Sequence, residues 1–428
     1  MSKYIKLFEN HAQYETFIGG GGDTPFVRPN VSHCIAENEV HYNPTWAEEY
    51  LTFVALEDGT FTFTPANNNA ISYSIDNGHT WTDLAADTNT PTVTRGKKVL
   101  WRGKMTPISS DGVGKFNSTG RFEAQGNVMS LLFGADFKGK TDLTGKNFAF
   151  YRLFSSNSKL VNAQNLSLPA ITLASWCYGF MFYGCTNLVN APVLSATTLA
   201  GSCYGYMFYG CTSLTTAPEL PATTLASYCY QYMFQGCTSL ETAPTLPAET
   251  LASDCYQYMF DGCTSLITAP SVLPAKALTT NCYSYMFQGC TSLTTAPELP
   301  ATTLALNCYY AMFNGCESLT TAPSVLPAKA LTTNCYSNMF ESCTSLETAP
   351  ELPAETLVDY CYFSMFYGCS SLNYIKCLAT DISATECLRN WVIGVASSGT
   401  FVKAASMTSW TTGTSGIPSK WTVQDATE

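Results

Sequence analysis

Charge is scarce in this chain. Asp, Glu, Lys and Arg make up 12% of its 428 residues, about half the share of an ordinary soluble domain, so Thr, Ser, Asn and Gln must cover much of the surface. Positive charge is scarcest in the second half. Between Cys177 and Leu372 there are twelve acidic residues, two lysines (Lys276 and Lys329) and no arginine. A surface that grips phosphates needs clustered Lys and Arg, so nucleic acid is excluded as a partner of this segment. The one basic cluster, Arg95, Lys97, Lys98, Arg102 and Lys104, reads as the solvated face of a hairpin or as a contact for an acidic partner. Histidine occurs only at His11, His33, His41 and His79, so no Cys–His nucleophile pair can be built between Cys177 and Leu372. No Gly-x-x-x-x-Gly-Lys-Ser/Thr phosphate loop is present. The commonest cysteine spacing, as from Cys177 to Cys185, lacks the tight pairing used by zinc knuckles. The expectation is a protein with no enzymatic activity, metal or cofactor. No apolar run is long enough to cross a membrane as a helix. The opening Met1-Ser-Lys-Tyr-Ile-Lys-Leu-Phe-Glu-Asn has no apolar core or cleavage site of a secretory signal, so synthesis and assembly in a cytoplasm are expected.

What the chain has in abundance is repetition. Leading cysteines recur at Cys177, Cys203, Cys229, Cys255, Cys282, Cys308, Cys335 and Cys361, a step of 26 or 27 residues. The unit reads Cys-Tyr-x-x-Met-Phe-x-Gly-Cys-Thr-Ser-Leu-x-Thr-Ala-Pro-x-Leu-Pro-Ala-x-x-Leu. The longer units insert one residue, as at Ser271-Val272 and Ser324-Val325, and the stretch 268–284 is identical to 321–337, a sign of duplication in two-repeat blocks. A degenerate unit precedes them, with Leu153-Phe154 in place of Met-Phe and Asn157 in place of the second cysteine. Such a unit cannot bury its apolar face alone, and stacking supplies the core. Cys, Met-Phe and the second Cys lie at offsets 0, 4, 5 and 8, a spacing that predicts a short helix or 3₁₀ turn. The prolines beyond it predict sparse strand pairing. Sixteen of the nineteen cysteines fall in this frame, which reads as columns of unpaired, buried thiols rather than as a disulfide scaffold.

The expected fold is mainly β with short helices: an N-terminal β-sandwich, then a leucine-rich-repeat-like solenoid of 26–27-residue repeats, then a C-terminal cap. Residues 1–47 read as a docking arm with a flexible joint at Gly19-Gly20-Gly21-Gly22. Residues 48–147 alternate apolar and polar side chains, as in Thr60-Phe61-Thr62-Phe63-Thr64, with turn signals at Asp58-Gly59, Asn77-Gly78 and Asp111-Gly112; these read as a sandwich acting as a spacer. Residues 148–372 are the solenoid. In 373–428, Ser383-Ala-Thr-Glu386 has the form of a capping box and predicts a helix from Cys387 to about Val395.

Three features are candidates for function. Ser74-Ile-Asp76-Asn-Gly78-His-Thr80-Trp81 resembles the Asp-box of sialidase-like propellers. A propeller needs several copies and an arginine-rich site, so this single copy reads as a hairpin whose Asp binds turn amides over a packed Trp. The third residue after each leading Cys gives Phe180, Tyr206, Tyr232, Tyr258 and Tyr285, then Ala311, Asn338 and Ser364. This aromatic ladder reads either as stacking between repeats or as a platform for sugar rings. A second column, Tyr183, Tyr209, Gln235, Asp261, Gln288, Asn314, Glu341 and Tyr367, varies where its neighbours are constant and reads as solvent-facing. Candidate ligand contacts are therefore Tyr206, Tyr232, Tyr258, Tyr285, Tyr209 and Gln235.

The repeated Met-Phe-x-Gly-Cys-Thr-Ser-Leu-x-Thr-Ala-Pro resembles BspA-like leucine-rich repeats over about half the chain. It departs from them in unit length, in the Met-Phe pair and in the leading Cys. That resemblance implies a binding scaffold and leaves its ligand open, since such repeats serve adhesins and unrelated surface proteins alike. The N-terminus, through Pro29-Asn-Val-Ser-His-Cys34 and Glu39-Val-His-Tyr-Asn-Pro44, resembles that of virion proteins of crAss-like and related phages of gut Bacteroidota. This second resemblance implies an arm that docks on other virion proteins, with Tyr4, Phe8, Asn30, His33, His41 and Tyr42 as candidate docking residues. The remainder, as a monomer or a homo-oligomer such as a trimer, would project from the virion surface as a head or tail fibre or decoration toward a host receptor or glycan. The alternative is a bacterial cell-surface adhesin. No nucleic acid and no membrane insertion are expected.

Overall fold

A computed structural model of the chain describes residues 35–36, 39–40, 47–67, 69–108 and 111–427. The chain divides into two compact units, Met1–Asn43 and Pro44–Glu428. In the first, β1 (Ile35–Ala36) and β2 (Glu39–Val40) pair antiparallel. The six candidate docking residues Tyr4, Phe8, Asn30, His33, His41 and Tyr42 lie outside the described residues.

The second unit is mainly β with leucine-rich-type repeats and, among the described residues, one short α-helix, α1 (Ser130–Phe133). The alternating segment folds into β3 (Leu51–Ala55), β4 (Phe61–Pro65), β5 (Ile71–Ser74), β6 (Thr82–Leu84), β7 (Lys98–Gly103), β8 (Gly114–Ser118) and β9 (Phe122–Asn127). β4 and β8 form a two-stranded antiparallel ribbon. The other strands join β10 (Leu160–Ser167) in one six-stranded sheet of order β10-β9-β3-β7-β5-β6. These strands make one sheet and one ribbon rather than two comparable sheets. β10 belongs to the degenerate first repeat and pairs parallel with β9, so the sheet runs directly into the repeats. The aromatic core does the same. Phe53 touches Phe61, Trp101, Phe116 and Phe122, and also Phe154 of the first repeat.

From Phe154 a file of phenylalanines continues through Phe182, Phe208, Phe234, Phe260, Phe287, Phe313, Phe340 and Phe366. Successive rings are nearly parallel and about one repeat apart; Phe208, Phe234 and Phe260 are spaced 5.5 Å from centroid to centroid. Beside this file run fully buried columns of Cys, Met, the second Cys and Leu. The repeats therefore stack with like on like, as the sequence period requires.

The segment expected to be helical is not a helix. In the repeat led by Cys203, the amides of Cys203, Gly205, Met207, Tyr209 and Cys211 each donate to a carbonyl three residues back. The alternate amides, of Tyr204, Tyr206, Phe208 and Gly210, donate instead to Cys229, Gln231, Met233 and Gln235 of the next repeat, at 2.8–3.0 Å. The chain is a run of linked turns, half of its amides turned inward and half bonded across the stack. What breaks the helix is the backbone: Ser202, Tyr206 and Gly210 have φ of 55°, 57° and 67°, so every fourth residue is left-handed. For a non-glycine residue that conformation costs about 1–2 kcal/mol; the cross-repeat hydrogen bonds and stacked rings offset it. Gly210 and its equivalents are glycines for this reason, and Ser342, with φ 61° at the same place, shows that a small side chain is tolerated.

The second cysteine of each repeat has its own task. Sγ of Cys211, Cys237 and Cys263 lies 3.1 Å from the carbonyl oxygen of Phe182, Phe208 and Phe234 in the preceding repeat. Each thiol donates to a carbonyl that already accepts the amide of its own repeat's cysteine. Beyond the turns, pairing between repeats falls to isolated parallel bridges such as Thr216↔Thr242 and Thr224↔Thr250, the sparse pairing that the prolines dictate. The inserted residues Val272 and Val325 each take an added bridge, to Glu298 and Glu351.

The helix expected from Cys387 is likewise absent. Glu386 and Asn390 are left-handed, with φ of 54° and 58°, and residues 384–394 form one more turn run. Its carbonyls accept the amides of Tyr362, Ser364, Phe366 and Gly368. Trp391 covers the end of the aromatic file and stacks on Trp410. β11 (Tyr374–Cys377), β12 (Thr400–Lys403) and β13 (Thr422–Asp425) close this end as a parallel sheet.

Candidate functional site

The third-position ladder is a continuous stack on the flank of the turn runs. Centroid separations are 4.4 Å for Phe180–Tyr206, 4.5 Å for Tyr206–Tyr232, 4.6 Å for Tyr232–Tyr258 and 4.2 Å for Tyr258–Tyr285, with interplanar angles of 17° or less. The left-handed backbone at each of these residues aims the ring outward, and the repeat spacing brings the rings into register. Each tyrosine is half-buried. Both faces of Tyr206, Tyr232 and Tyr258 are covered by neighbouring rings, so a sugar cannot stack on them face to face. Their edges and hydroxyls are what solvent meets. The phenols of neighbouring repeats influence one another along the ladder, Tyr206 with Tyr232, Tyr258 with Tyr285 and Tyr285 with Tyr310. Burial, reinforced by the neighbouring phenols, pushes Tyr232, Tyr285 and Tyr310 up to about 12. The ladder is thus a neutral rail of hydrogen-bonding groups. Tyr310, one position before Ala311, tilts onto Tyr285 at 5.1 Å and carries the rail past the break; it escaped the sequence reading because it stands in a different column.

The second column is not simply solvent-facing. Tyr209 stacks on Tyr183 at 4.8 Å. Gln235 Nε2 donates to Asp261 Oδ2 at 2.5 Å, and Asn314 donates to Glu341, which also accepts from Asn338 of the ladder column. These side chains pair with their neighbours along the stack while remaining half-exposed. Burial raises the Asp261 carboxyl to about 6, against the lowering effect of the Gln235 bond. A carboxyl whose folded value lies above its ordinary 3.8 destabilises the fold above about pH 6, and the penalty fades as the pH falls toward 3.8. Asp261→Asn is therefore expected to melt higher than the wild type at pH 7.5 and level with it at pH 4. Thermal melts at the two pH values check this, and equal melting at pH 7.5 would contradict it.

Arg152 was also missed. Aligning Leu153-Phe154 with the later Met-Phe places it at the ladder position of the first repeat, with φ 60°. Its guanidinium lies 5.3 Å over the Phe180 ring and 5.1 Å over Tyr151, so the aromatic rail begins at a cation.

The Asp-box forms the hairpin expected of it. Thr80 donates its amide to Asp76 at 2.9 Å and its hydroxyl at 2.6 Å, and Trp81 donates to the carbonyl of Gly78. These bonds hold the Asp76 carboxyl well below the usual range. Trp81 lies between Tyr50 and the Arg102 guanidinium, 4.1 Å away, so one member of the basic cluster packs on a ring. Arg95, Lys97, Lys98 and Lys104 are exposed.

Compared with protein families, residues 159–294 and 280–386 match the BspA type leucine rich repeat region, in six copies. Together these spans exceed half of the 428 residues. No curated protein matches the chain. Among solved structures it is similar to a leucine-rich repeat protein from Bacteroides ovatus ATCC 8483, with 15% identity, a TM-score of 0.25, and coverage of 66% of this chain and 86% of that one.

Proposed function

Because the chain belongs to the BspA-type leucine-rich repeat family, we propose that it is a non-catalytic recognition protein whose repeats form one continuous solenoid presenting the tyrosine rail to a receptor. The observation that carries this reading is the rail itself: stacked phenols whose edges and hydroxyls face outward along consecutive repeats. Phenol edges offer apolar CH groups beside donors and acceptors, which suits the hydroxyls of a glycan or the surface of a protein receptor. The acidic balance of the repeats repels polyanions such as DNA, teichoic acid and acidic capsule over most of their length. Tyr206, Tyr232, Tyr258 and Tyr285 are the proposed contacts, with Tyr209 and Gln235 beside them. The six-stranded sheet, sharing its core with the first repeat, serves as the cap of the stack as well as its spacer.

The carrier we propose is a phage virion, with residues 1–47 docking on other virion proteins and the solenoid projecting toward the host. The N-terminal resemblance supports this. The second reading, a bacterial cell-surface adhesin, is favoured by the repeat family. Mass spectrometry of purified particles and of host-cell envelopes separates the two. On the virion reading the chain is found in particles, and deleting residues 1–47 abolishes its incorporation while leaving a folded product. Recovery in envelopes alone, or normal incorporation of the truncated chain, would overturn that reading.

A further inference from the structure

At the head of the tyrosine rail lies a cleft of about 550 Å³, within the usual range for a small-molecule site. One wall is the β4–β8 ribbon, through Thr64, Pro65, Gly114 and Lys115; the other is the first turn run, through Arg152 and Ser156, and the leading rings Phe180 and Tyr183. We propose that this cleft binds the carboxylate of an acidic sugar, such as a uronic acid, at the end of a glycan whose neutral part runs along the tyrosine rail. The proposal rests on the recognition reading above and adds a second ligand class to it.

The chemistry is local and unlike the rest of the repeats. Over residues 177–372 the only cations are Lys276 and Lys329, yet here Arg152 and Lys115 line one cleft. Neither has an ion-pair partner among the described residues. Arg152 is exposed, but its position is set by its left-handed backbone and by the Phe180 and Tyr151 rings beneath it. An arginine held this way presents a planar fork of donors that matches a carboxylate. Asp111 also lines the cleft, leaving two cations against one acid. That balance suits a monoanion and works against a doubly charged phosphate. Phe180 and Tyr183, 5.4 Å apart, supply an apolar wall for the ring that bears the carboxylate, and Ser156 supplies a hydroxyl.

The test uses the full-length protein and four probes: a glucuronate-terminated oligosaccharide, its glucose-terminated counterpart, free glucuronate and inorganic phosphate. Affinities are read by calorimetry, with thermal melts alongside. The expected result is that glucuronate-terminated sugar binds more tightly than the neutral one. Arg152→Gln and Lys115→Gln should each weaken it about tenfold or more, with unchanged melting. Arg152→Lys, which keeps the charge and loses the fork, should not restore it. Equal affinity for the acidic and neutral sugars, insensitivity to Arg152→Gln, or phosphate binding as tight as glucuronate binding would each overturn the cleft proposal. Neutral sugar binding that persists in all variants would leave the rail reading standing, and its loss only on substitution of the tyrosines would separate the two sites.

Discussion

Phe234→Ala is expected to cost about 3–5 kcal/mol of stability, the range for truncating a fully buried phenylalanine. Phe234 is wholly inaccessible and sits between Phe208 and Phe260 at 5.5 Å on either side. The neighbouring Cys, Met and Leu columns are equally buried, so nothing nearby is free to collapse into the space. Because each repeat contacts chiefly its two neighbours, the loss should act on the coupling between three consecutive repeats. Hydrogen exchange should then quicken first at the cross-repeat amides of Phe208 and Phe234, which bond to Met233 and Met259. Ile267→Ala, at a side chain 50% exposed, is the control and should change stability by no more than about 0.5 kcal/mol. Denaturant melts of the two variants decide the matter. A loss below about 1 kcal/mol at Phe234 would mean that the phenylalanine file is not the continuous core described here.

The second large effect concerns the thiols. All eighteen cysteines among the described residues are free and buried. Burial pushes Cys203, Cys237, Cys255 and Cys308, among others, from 9.0 up to about 12. A shift of that size reduces the reactive thiolate about a thousandfold at neutral pH, before access is considered. The second cysteine of each repeat is further engaged as a donor to a phenylalanine carbonyl. A disulfide reagent added to the native protein is therefore expected to leave all eighteen unreacted, and denaturant should release them together. Fewer than about half appearing free on denaturation would contradict the account, because disulfides would then be holding what stacking is argued to hold.

The repeat period, the buried columns and the interrupted pairing at the prolines were legible in the sequence because each signal recurs in seven or all eight of the units. The Asp-box hairpin was legible because one motif contains both the carboxylate and the turn it binds. The helix was misread for a definite reason. Offsets of 0, 4, 5 and 8 place residues on one face of a helix, and a run of turns with every fourth residue left-handed does the same. The distinguishing signal was present in Gly210, Gly236 and Gly262 in one column and in Asn281, Asn307 and Asn334 in another, residues that accept positive φ. The apparent capping box at Ser383–Glu386 failed on the same ground, since Glu386 itself is left-handed. The parallel pairing of β9 with β10 was not legible, because 32 residues of turns, including α1, separate Asn127 from Leu160. The covering of the tyrosine faces was legible only as one of two readings, stacking or a sugar platform, because the choice between them depends on how closely neighbouring repeats approach at that flank.

That last point determines how the binding face must be tested. Replacing the ladder tyrosines by alanine would remove the stack together with the hydroxyls, so lost binding and lost stability could not be told apart. The direct measurement is attachment of the full-length protein to host cells, compared with a variant carrying Tyr206→Phe, Tyr232→Phe, Tyr258→Phe and Tyr285→Phe. The rings stay stacked in that variant and only the outward hydroxyls are lost. The account predicts unchanged melting and attachment weakened by about tenfold or more, the equivalent of one or two net hydrogen bonds. Unchanged attachment at unchanged stability would contradict it.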